Sequence, residues 1–367
     1  MQESTQHTDA CDGLLFYCRA GSENDCAAEI MDLVSGYGVA GYCRTQPDTG
    51  HVVFQRSGGE PLARLVEKLH WLDLIFARQW LVLLKIVSHL PPDDRVTPLL
   101  ASLAGYRRSY ADLWLEYPDT NEGKGLSRFC KRFRGALAGA LEATGISVTA
   151  AVADRRLHAF FTDSTRALLA EAPVARTTPW HSGILRLKQP GEAPSRSTLK
   201  LDEALQVLLN ADERQALLEP GNTAVDLGAA PGGWTWQLVR RSIRVTAVDN
   251  GPMQDALMDS GLVEHLRVDG FRYRPPRPVD LLVCDMVEKP GRITRLMRQW
   301  LERGDCRAAI FNLKLPMKQR YRAVRECLEL LPERTSTGQH LDVRCRQLYH
   351  DRDEVTVAVA PRAPSLQ

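Results

Sequence analysis

From Leu14 onward the chain alternates short apolar runs with amphipathic stretches. LLFYCRA (14–20), VAGYCR (39–44), HVVFQR (51–56) and ARQWLVLLKIV (77–87) read as strands, and PLARLVEKLHW (61–71) reads as a helix. Another helix runs from Ser22 to about Val34. Cys26, Ile30, Leu33 and Val34 form its single apolar stripe, and Ser22 stands where a side chain caps the orphan N–H groups. The order βαββαβ predicts a ferredoxin-like unit. Pro91, Pro92 and two aspartates then break the chain, and a second α-plus-β stretch runs to about Thr178. Between Gly123 and Leu141, Phe129, Phe133, Leu137 and Leu141 keep helical spacing while Lys124, Arg128, Lys131, Arg132 and Arg134 occur with no acid. One face packs and the other is basic. Alone, such a run reads as a solvated surface helix; nucleic-acid contact becomes the better reading only if the rest of the chain requires it.

After the Pro- and Gly-rich segment TTPWHSGILRLKQPGEAP (177–194) the period changes. Strands at 223–228, 243–249, 279–285 and 307–314, separated by helical segments, predict a parallel doubly wound sheet, and 343–349 with 354–360 predicts a terminal hairpin. The expected domains are 1–90, 91–178 and 179–367, with no solenoid repeat and no low-complexity tract.

Composition narrows the class. Of 367 residues, 44% are hydrophobic and 25% charged, as expected of a folded chain without extensive disorder. The 47 basic and 45 acidic side chains nearly cancel, so any nucleic-acid surface has to be a local patch. The nine cysteines (11, 18, 26, 43, 130, 284, 306, 327, 345) are odd in number and never spaced Cys-x-x-Cys, which argues against a disulfide framework or a zinc knuckle. MQESTQHTDA lacks the pattern of a secretory signal, and LVLLKIV (81–87) falls far short of the ~20 residues of a membrane span. A reduced, cytoplasmic, soluble protein is expected, without metal, with a monomer as the default.

The strand TAVDLG runs directly into AAPGGWTWQLV, which puts Gly228, Gly232 and Gly233 at a strand-to-helix turn. Glycines there let a ligand approach the backbone, and the new helix aims free N–H groups at it. The spacing is not Gly-x-Gly-x-x-Gly, so the dinucleotide fingerprint is missed. Asp249 closes the second strand 21 positions after Gly228, where a carboxylate can accept from both hydroxyls of a ribose. Asp269, in RVDG, is expected to end a third strand within reach of an adenine amino group, and Asp285 ends the fourth. A single Asp after a strand is more commonly a cap or turn residue. Asp226, Asp249, Asp269 and Asp285 together mark the carboxyl edge of the sheet, where such folds bind ligands, and indicate a nucleoside-containing cofactor.

VDLGAAPGGW (225–234) closely resembles the S-adenosylmethionine loop of the FtsJ-type RNA ribose 2′-O-methyltransferases, whose catalytic pattern is Lys-Asp-Lys-Glu. SRSTLKLDE offers Lys200, CDM offers Asp285, FNLKLP offers Lys314 and DRDEVTV offers Glu354. IFNLKLPMK and RQLYHDRDEVTV are closer still to the RlmM family of 23S ribosomal RNA ribose methyltransferases. The resemblance covers almost the whole chain, with specific motifs from 195 to 357. It implies an α/β, Rossmann-like methyltransferase domain preceded by ferredoxin-like and THUMP α+β domains. It implies S-adenosylmethionine contacts at Ser197, Asp226, Gly228, Ala230, Pro231, Gly232, Gly233, Trp234, Asp249, Asp269 and Asp285. It also implies a cytidine of the peptidyl-transferase region as target, in RNA not yet assembled into a subunit, and neither DNA nor membrane as partner. Ser197 otherwise reads as a helix cap, and Trp234 as core.

A ribose 2′-hydroxyl is a poor nucleophile, so methyl transfer to it needs a base and alignment with the donor. A lysine serves only when neutral. Its reference pKa of about 10.4 falls with burial and a neighbouring cation, and Lys200 with Lys314 is such a pair. The carboxylates of Asp285 and Glu354 push the other way. Lys314 is assigned as base, Lys200 as the group orienting the hydroxyl, and the acids as props for both amines. Taken singly, each lysine is more simply a helix or surface residue. Cys284 reads as buried packing, since the Pro-Cys pair of cytosine C5 chemistry is missing, and His350 as a turn residue. Arg267, Arg272, Arg274 and Arg277, interleaved with Phe271 and Tyr273, and Lys318, Arg320, Arg322 and Arg325 are candidate phosphate and base contacts, although a solvated helix explains the second set equally well. Two rival functions stay open: a non-catalytic RNA-binding or assembly factor, and a nicotinamide-dependent oxidoreductase.

Overall fold

The computed structural model describes residues 13–335 and 337–362. The readings that concern the first ten residues and Cys11 lie outside them. The chain forms two compact units that meet between Ile184 and Leu185.

The first unit contains β1 (Gly13–Cys18), α1 (Glu23–Gly36), β2 (Val39–Arg44), β3 (His51–Gly59), α2 (Ala63–Lys68), β4 (Ala77–Val87), α3 (Val96–Ser102), β5 (Leu113–Glu116), α4 (Asn121–Lys124), α5 (Ser127–Ala143), β6 (Arg155–Asp163) and β7 (Arg166–Pro173). The strand order is β2-β3-β1-β4-β7-β6-β5. Its first four strands carry the antiparallel ferredoxin-like arrangement expected of βαββαβ. The break near 90 does not divide the sheet, because β4 pairs directly with β7 from the other side of it. Both N-terminal stretches therefore share one sheet and one compact unit.

Side chains alternate across this sheet with period two. Phe160 of β6 packs with Leu15, Tyr17 and Leu81, while Phe161 packs on the opposite face with Leu113, Leu137 and Leu141. The expected helix around 124–141 is broken in two. Gly123 lies so close to Pro118 that an added Cβ would sit 2.1 Å from its carbonyl oxygen, and α5 starts only at Ser127. The rings of Phe129 and Phe133 stack 5.2 Å apart, each edge-on to Phe161. Lys124, Arg128, Lys131 and Arg132 remain on the exposed side, whereas Arg134 pairs with Asp112 at 2.9 Å. Ser22 does not cap α1 with its hydroxyl. The neighbouring Glu23 instead ties the start of α1 to the preceding turn and to the loop before β3, accepting from the N–H groups of Gly21 and Gly50.

The second unit contains α6 (Thr198–Val207), α7 (Ala211–Leu217), β8 (Thr223–Leu227), α8 (Gly233–Val239), β9 (Arg244–Val248), α9 (Asp255–Met258), β10 (Val263–Leu266), β11 (Val279–Cys284), α10 (Pro290–Arg303), β12 (Cys306–Lys314), α11 (Arg320–Leu328), β13 (Leu341–Arg346) and β14 (Glu354–Pro361). Its strand order is β10-β9-β8-β11-β12-β14-β13. β8 to β12 run parallel, and β14 is antiparallel to both β12 and β13. This is the Rossmann-type sheet with its terminal hairpin. α10 shows why the helices flank it: Ile293, Met297, Trp300 and Leu301 are buried on one stripe, Pro290 opens the helix, and Gly304 closes it at φ 71°. From β8 the chain winds outward through β9 and β10, then crosses back to β11. That reversal opens a crevice beyond the carboxyl ends of β8 and β11.

Candidate active site

The loop from β8 to α8 floors the crevice. Gly228 has φ 82° and Gly232 has φ 114°, values that L side chains rarely adopt. A Cβ on Gly228 would lie 2.8 Å from Met286, and one on Gly233 would lie 2.2 Å from the Ser197 hydroxyl and 2.5 Å from that of Ser195. Gly228 faces the crevice, whereas Gly232 and Gly233 are buried behind it against Leu257 and the start of α6. The crevice has two lobes. A cavity of about 460 Å³ is lined by Gly228, Ala230, Asp249, Asp269, Phe271 and Asp285. A cavity of about 290 Å³ is lined by Ser195, Ser197, Ala230, Pro231, Trp234 and Asp285. Both are of the size and mixed polarity that hold small organic ligands.

The four aspartates do not share one environment. Asp249 directly follows β9 and accepts from the N–H groups of Ala230 at 3.1 Å and Gly251 at 2.7 Å, which ties the glycine loop to the second strand. Asp269 lies three residues beyond the end of β10 rather than at it, and its Oδ1 accepts from the Phe271 N–H. Asp226, expected at the ligand surface, is instead fully buried inside β8 and lines neither lobe. It accepts from the Thr235 hydroxyl of α8 at 2.7 Å, and its other oxygen has no partner. Burial, with the nearby charges of Asp285 and Asp249, pushes its carboxyl up to about 7. Ser197 does not cap α6 with its side chain; its hydroxyl lies 2.7 Å from that of Ser195 at the wall of the smaller lobe.

Lys200, Asp285, Lys314 and Glu354 converge. Lys200 comes from the first turn of α6, Asp285 from the residue after β11, Lys314 from the end of β12 and Glu354 from the start of β14. Lys314 and Glu354 are cross-strand partners in the β12–β14 register. Lys200 Nζ is 3.3 Å from Asp285 Oδ2, and Lys314 Nζ is 2.8 Å from Asp285 Oδ1. Each amine also pairs with an oxygen of Glu354. Two cations and two anions thus alternate around a closed ring, and Asp285 belongs both to that ring and to the walls of both lobes. Burial pulls the Lys314 amine down, but the carboxylates of Asp285 and Glu354 outweigh it, so its ammonium form persists above its ordinary range.

Other side chains around the ring were less legible. Asn312 donates to Asp285 Oδ1 at 2.9 Å, and Thr356 and Asp351 lie behind it. Each is an isolated polar residue in or beside an apolar strand, and spacing alone assigns it nothing. Cys284 is fully buried with its thiol pushed up to about 12 by desolvation, as packing rather than nucleophilic chemistry requires. His350 sits in the β13–β14 turn with Nδ1 2.7 Å from Glu203. Along α11, Arg322 and Arg325 pair with Glu326 and Glu329 one turn on, and Arg320 reaches Asp353, so this set is largely spent on local ion pairs. Phe271 carries the Arg292 guanidinium 4.4 Å above its ring. The described cysteines are free thiols, and no cluster of His, Cys, Asp or Glu suited to a metal occurs among the described residues. None of the described helices is long and apolar enough to cross a membrane.

Three family models match consecutive stretches: the RlmM ferredoxin-like domain at 11–81, the N-terminal part of ribosomal RNA large subunit methyltransferase M at 94–172, and the FtsJ-like methyltransferase at 193–327. Ribosomal RNA large subunit methyltransferase M of Thauera aminoaromatica is 48% identical over 355 residues, covering 96% of this chain and 98% of that protein. The protein of the same name from Xanthomonas oryzae pv. oryzae (strain PXO99A) is 50% identical over 346 residues, covering 94% and 98%. Among solved structures, TrmN from Thermus thermophilus aligns with 95% of this chain and 99% of its own at 15% identity and a TM-score of 0.35, a likeness too low to carry any argument. The glycine loop, the Rossmann-type sheet and near-half identity along almost the full length agree: the chain belongs to the RlmM family of ribosomal RNA large subunit methyltransferases.

Proposed function

We propose that this protein transfers a methyl group from S-adenosylmethionine to a ribose 2′-hydroxyl of 23S ribosomal RNA, at a cytidine of the peptidyl-transferase region, before the RNA is assembled into its subunit. The observation that carries this reading is the closed Lys200–Asp285–Lys314–Glu354 ring at the wall of a glycine-floored crevice. The crevice fits the cofactor: Gly228 leaves backbone within reach of a ligand, Asp249 and Asp269 offer free lone pairs at one end, and the buried Trp234 Nε1 has no partner in the lining of the other.

When bound, S-adenosylmethionine supplies an electrophilic methyl on a cationic sulfur. The residues of the ring supply the rest. Lys314, once neutral, takes the hydroxyl proton at Nζ; Lys200 orients the same hydroxyl; Asp285 and Glu354 fix the two amines. Opposite charges cancel as the methyl moves, so alignment contributes more than added charge stabilisation. At rest the two carboxylates favour the ammonium form of Lys314, which makes its deprotonation the step that limits the base.

For RNA, the exposed row Lys124, Arg128, Lys131 and Arg132 has no ion-pair partner among the described residues and is free to neutralise phosphates. We read the stretch 91–178 that carries it as a THUMP-like module, between a ferredoxin-like module at 1–90 and the catalytic domain at 179–367. Val287, two residues after Asp285, and Met317, three after Lys314, are 88% and 94% exposed, apolar side chains that an unpaired base could cover.

The test is incubation with methyl-tritiated cofactor and unmodified 23S ribosomal RNA, followed by mapping of alkali-resistant linkages. One resistant linkage at a peptidyl-transferase cytidine is expected. Label on a base would overturn the ribose reading, and RNA binding without any label would favour the assembly factor.

A further inference from the structure

Behind the ring, the β12–β14 register sets a second cross-strand pair one step inside the Lys314–Glu354 pair. Asn312 lies opposite Thr356 on the same face of the two strands. Both are fully buried, as is Asp351 in the turn before β14. The distances form one line: Asn312 Nδ2 to Asp285 Oδ1 is 2.9 Å, Thr356 Oγ1 to Asn312 Oδ1 is 2.8 Å, and Thr356 Oγ1 to Asp351 Oδ1 is 3.1 Å. Asp351 Oδ2 accepts the Leu348 N–H at 2.9 Å and lies 3.0 Å from the same hydroxyl.

Proton counting gives this line a direction. Asp285, held between two ammonium groups, is a carboxylate and can only accept, so the Asn312 amide must present its NH₂ there. Its carbonyl oxygen then faces Thr356 and must itself accept. Thr356 has a single hydroxyl proton, which that contact consumes. What remains toward Asp351 is a lone pair, and a carboxylate at that distance would set oxygen lone pair against oxygen lone pair in a site without water access. The contact becomes attractive only when Asp351 Oδ1 carries a proton.

We propose that Asp351 is a neutral carboxylic acid heading a one-way relay, Asp351 to Thr356 to Asn312 to Asp285, whose role is to position the Asp285 carboxylate in the ring. The surroundings agree. Burial, reinforced by the Glu354 and Glu203 carboxylates, drives the Asp351 carboxyl well above its usual range. Of the charged groups close in chain or register, His350 is engaged with Glu203, and Arg346 stands opposite Thr356 in the β13–β14 register, a buried cation whose pull toward the ionised form is outweighed by burial and the two carboxylates. Because Lys314 and Asn312 share Asp285 Oδ1 while Lys200 takes Oδ2, loss of the amide donor frees the carboxylate to rotate and opens the ring. Asn312, Thr356 and Asp351 touch no reacting atom and are positioning residues. The inference rests on the methyltransferase reading for its effect on turnover, but not for the proton itself.

Two measurements test it. Infrared spectra of the intact protein at pH 7 should contain a carboxylic-acid carbonyl band that disappears in Asp351→Asn and persists in Asp226→Asn. Absence of that band overturns the relay whatever the enzyme's activity. In the methylation assay, Thr356→Val should lower kcat about tenfold, the size expected for one lost buried hydrogen bond, with KM for the cofactor unchanged. Thr356→Ser, which keeps the hydroxyl, should restore it. Asp351→Asn, whose amide still donates to Thr356 and whose carbonyl still accepts from Leu348, should stay within about twofold of the unmodified protein. A fall in Asp351→Asn as deep as in Thr356→Val would show that the carboxylate is needed and sink the proposal, as would a Thr356→Val enzyme with undiminished kcat. If no variant nor the unmodified protein methylates RNA, the functional reading fails while the infrared band still decides the proton.

Discussion

Lys314 works against its surroundings. Asp285 and Glu354 keep it protonated, so the neutral amine that a base requires is scarce near neutrality and grows about tenfold for each pH unit below its pKa. We expect kcat to rise with a slope near one from pH 7 to beyond pH 10, and Lys314→Ala to abolish turnover while leaving cofactor affinity within about twofold, measured by calorimetry. A flat profile would point to a different base. Asp226 makes the opposite case, an acid whose pKa in the folded chain, about 7, exceeds its unfolded value. Its contribution to stability is therefore full below about pH 4 and lost as pH rises to about 7, a swing of order 4 kcal/mol for a fully buried group. Asp226→Asn should remove that swing. Urea midpoints for the cofactor-free protein should cross, with the Asn variant relatively more stable at pH 8 than at pH 5. The tetrad proposed as catalytic was legible because the short motifs around each member resemble the FtsJ-type pattern. Asp226 looked like one more strand-end carboxylate, and only its depth in β8 separates it from Asp249.

At the scale of elements, the glycine loop is a joint between β8, α8 and the start of α6. Gly233→Ala would drive a methyl into the Ser195 and Ser197 hydroxyls and the Thr198 N–H at 3.1 Å, pushing α6 and with it Lys200 outward. We expect a loss of about 1–3 kcal/mol in stability and at least tenfold weaker cofactor binding, by thermal unfolding and calorimetry. α5 carries a separate prediction. Reversing Arg128, Lys131 and Arg132 to glutamate should weaken RNA binding and reduce its salt dependence by about three phosphate contacts, with the fold intact because all three lie opposite Leu137 and Leu141. Unchanged RNA affinity would remove α5 from the interface. The periodicity that exposed α5 said nothing about where it starts, since the turn that separates it from α4 is closed by backbone bonds from Gly125 and Leu126 to Glu122 and Gly123, three residues back rather than four. Nor did it show that most arginines of α11 are held by acids one turn away. Helical spacing places both charges on one face; only the rotamers decide whether they meet.

For the molecule as a whole, the segment after Ile184 joins two compact units, and it carries exposed basic residues such as Lys188. Limited trypsin digestion should cut there first and leave two fragments of about 20 kDa, each resistant to further cleavage, because connecting segments open before packed sheets do. Persistent cleavage inside β4–β7 instead would contradict the single N-terminal sheet. The apolar pattern by itself determined the first four strands of that sheet and the winding of the second, since period and burial face are local properties of the chain, but it left β5, β6 and β7 unresolved within one α-plus-β stretch. The glycine loop was legible from its spacing, and the four ring residues from the resemblance of the short motifs around them to the FtsJ-type pattern. Neither pattern nor motif determined that β4 and β7 pair across the break near 90, that Asp226 is buried, or that Asn312, Thr356 and Asp351 stand in line behind Asp285. Those facts depend on which residues lie opposite one another between strands distant in sequence. Pairing register is a property of the assembled sheet, where desolvation and proton-by-proton hydrogen bonding decide what each polar side chain can do.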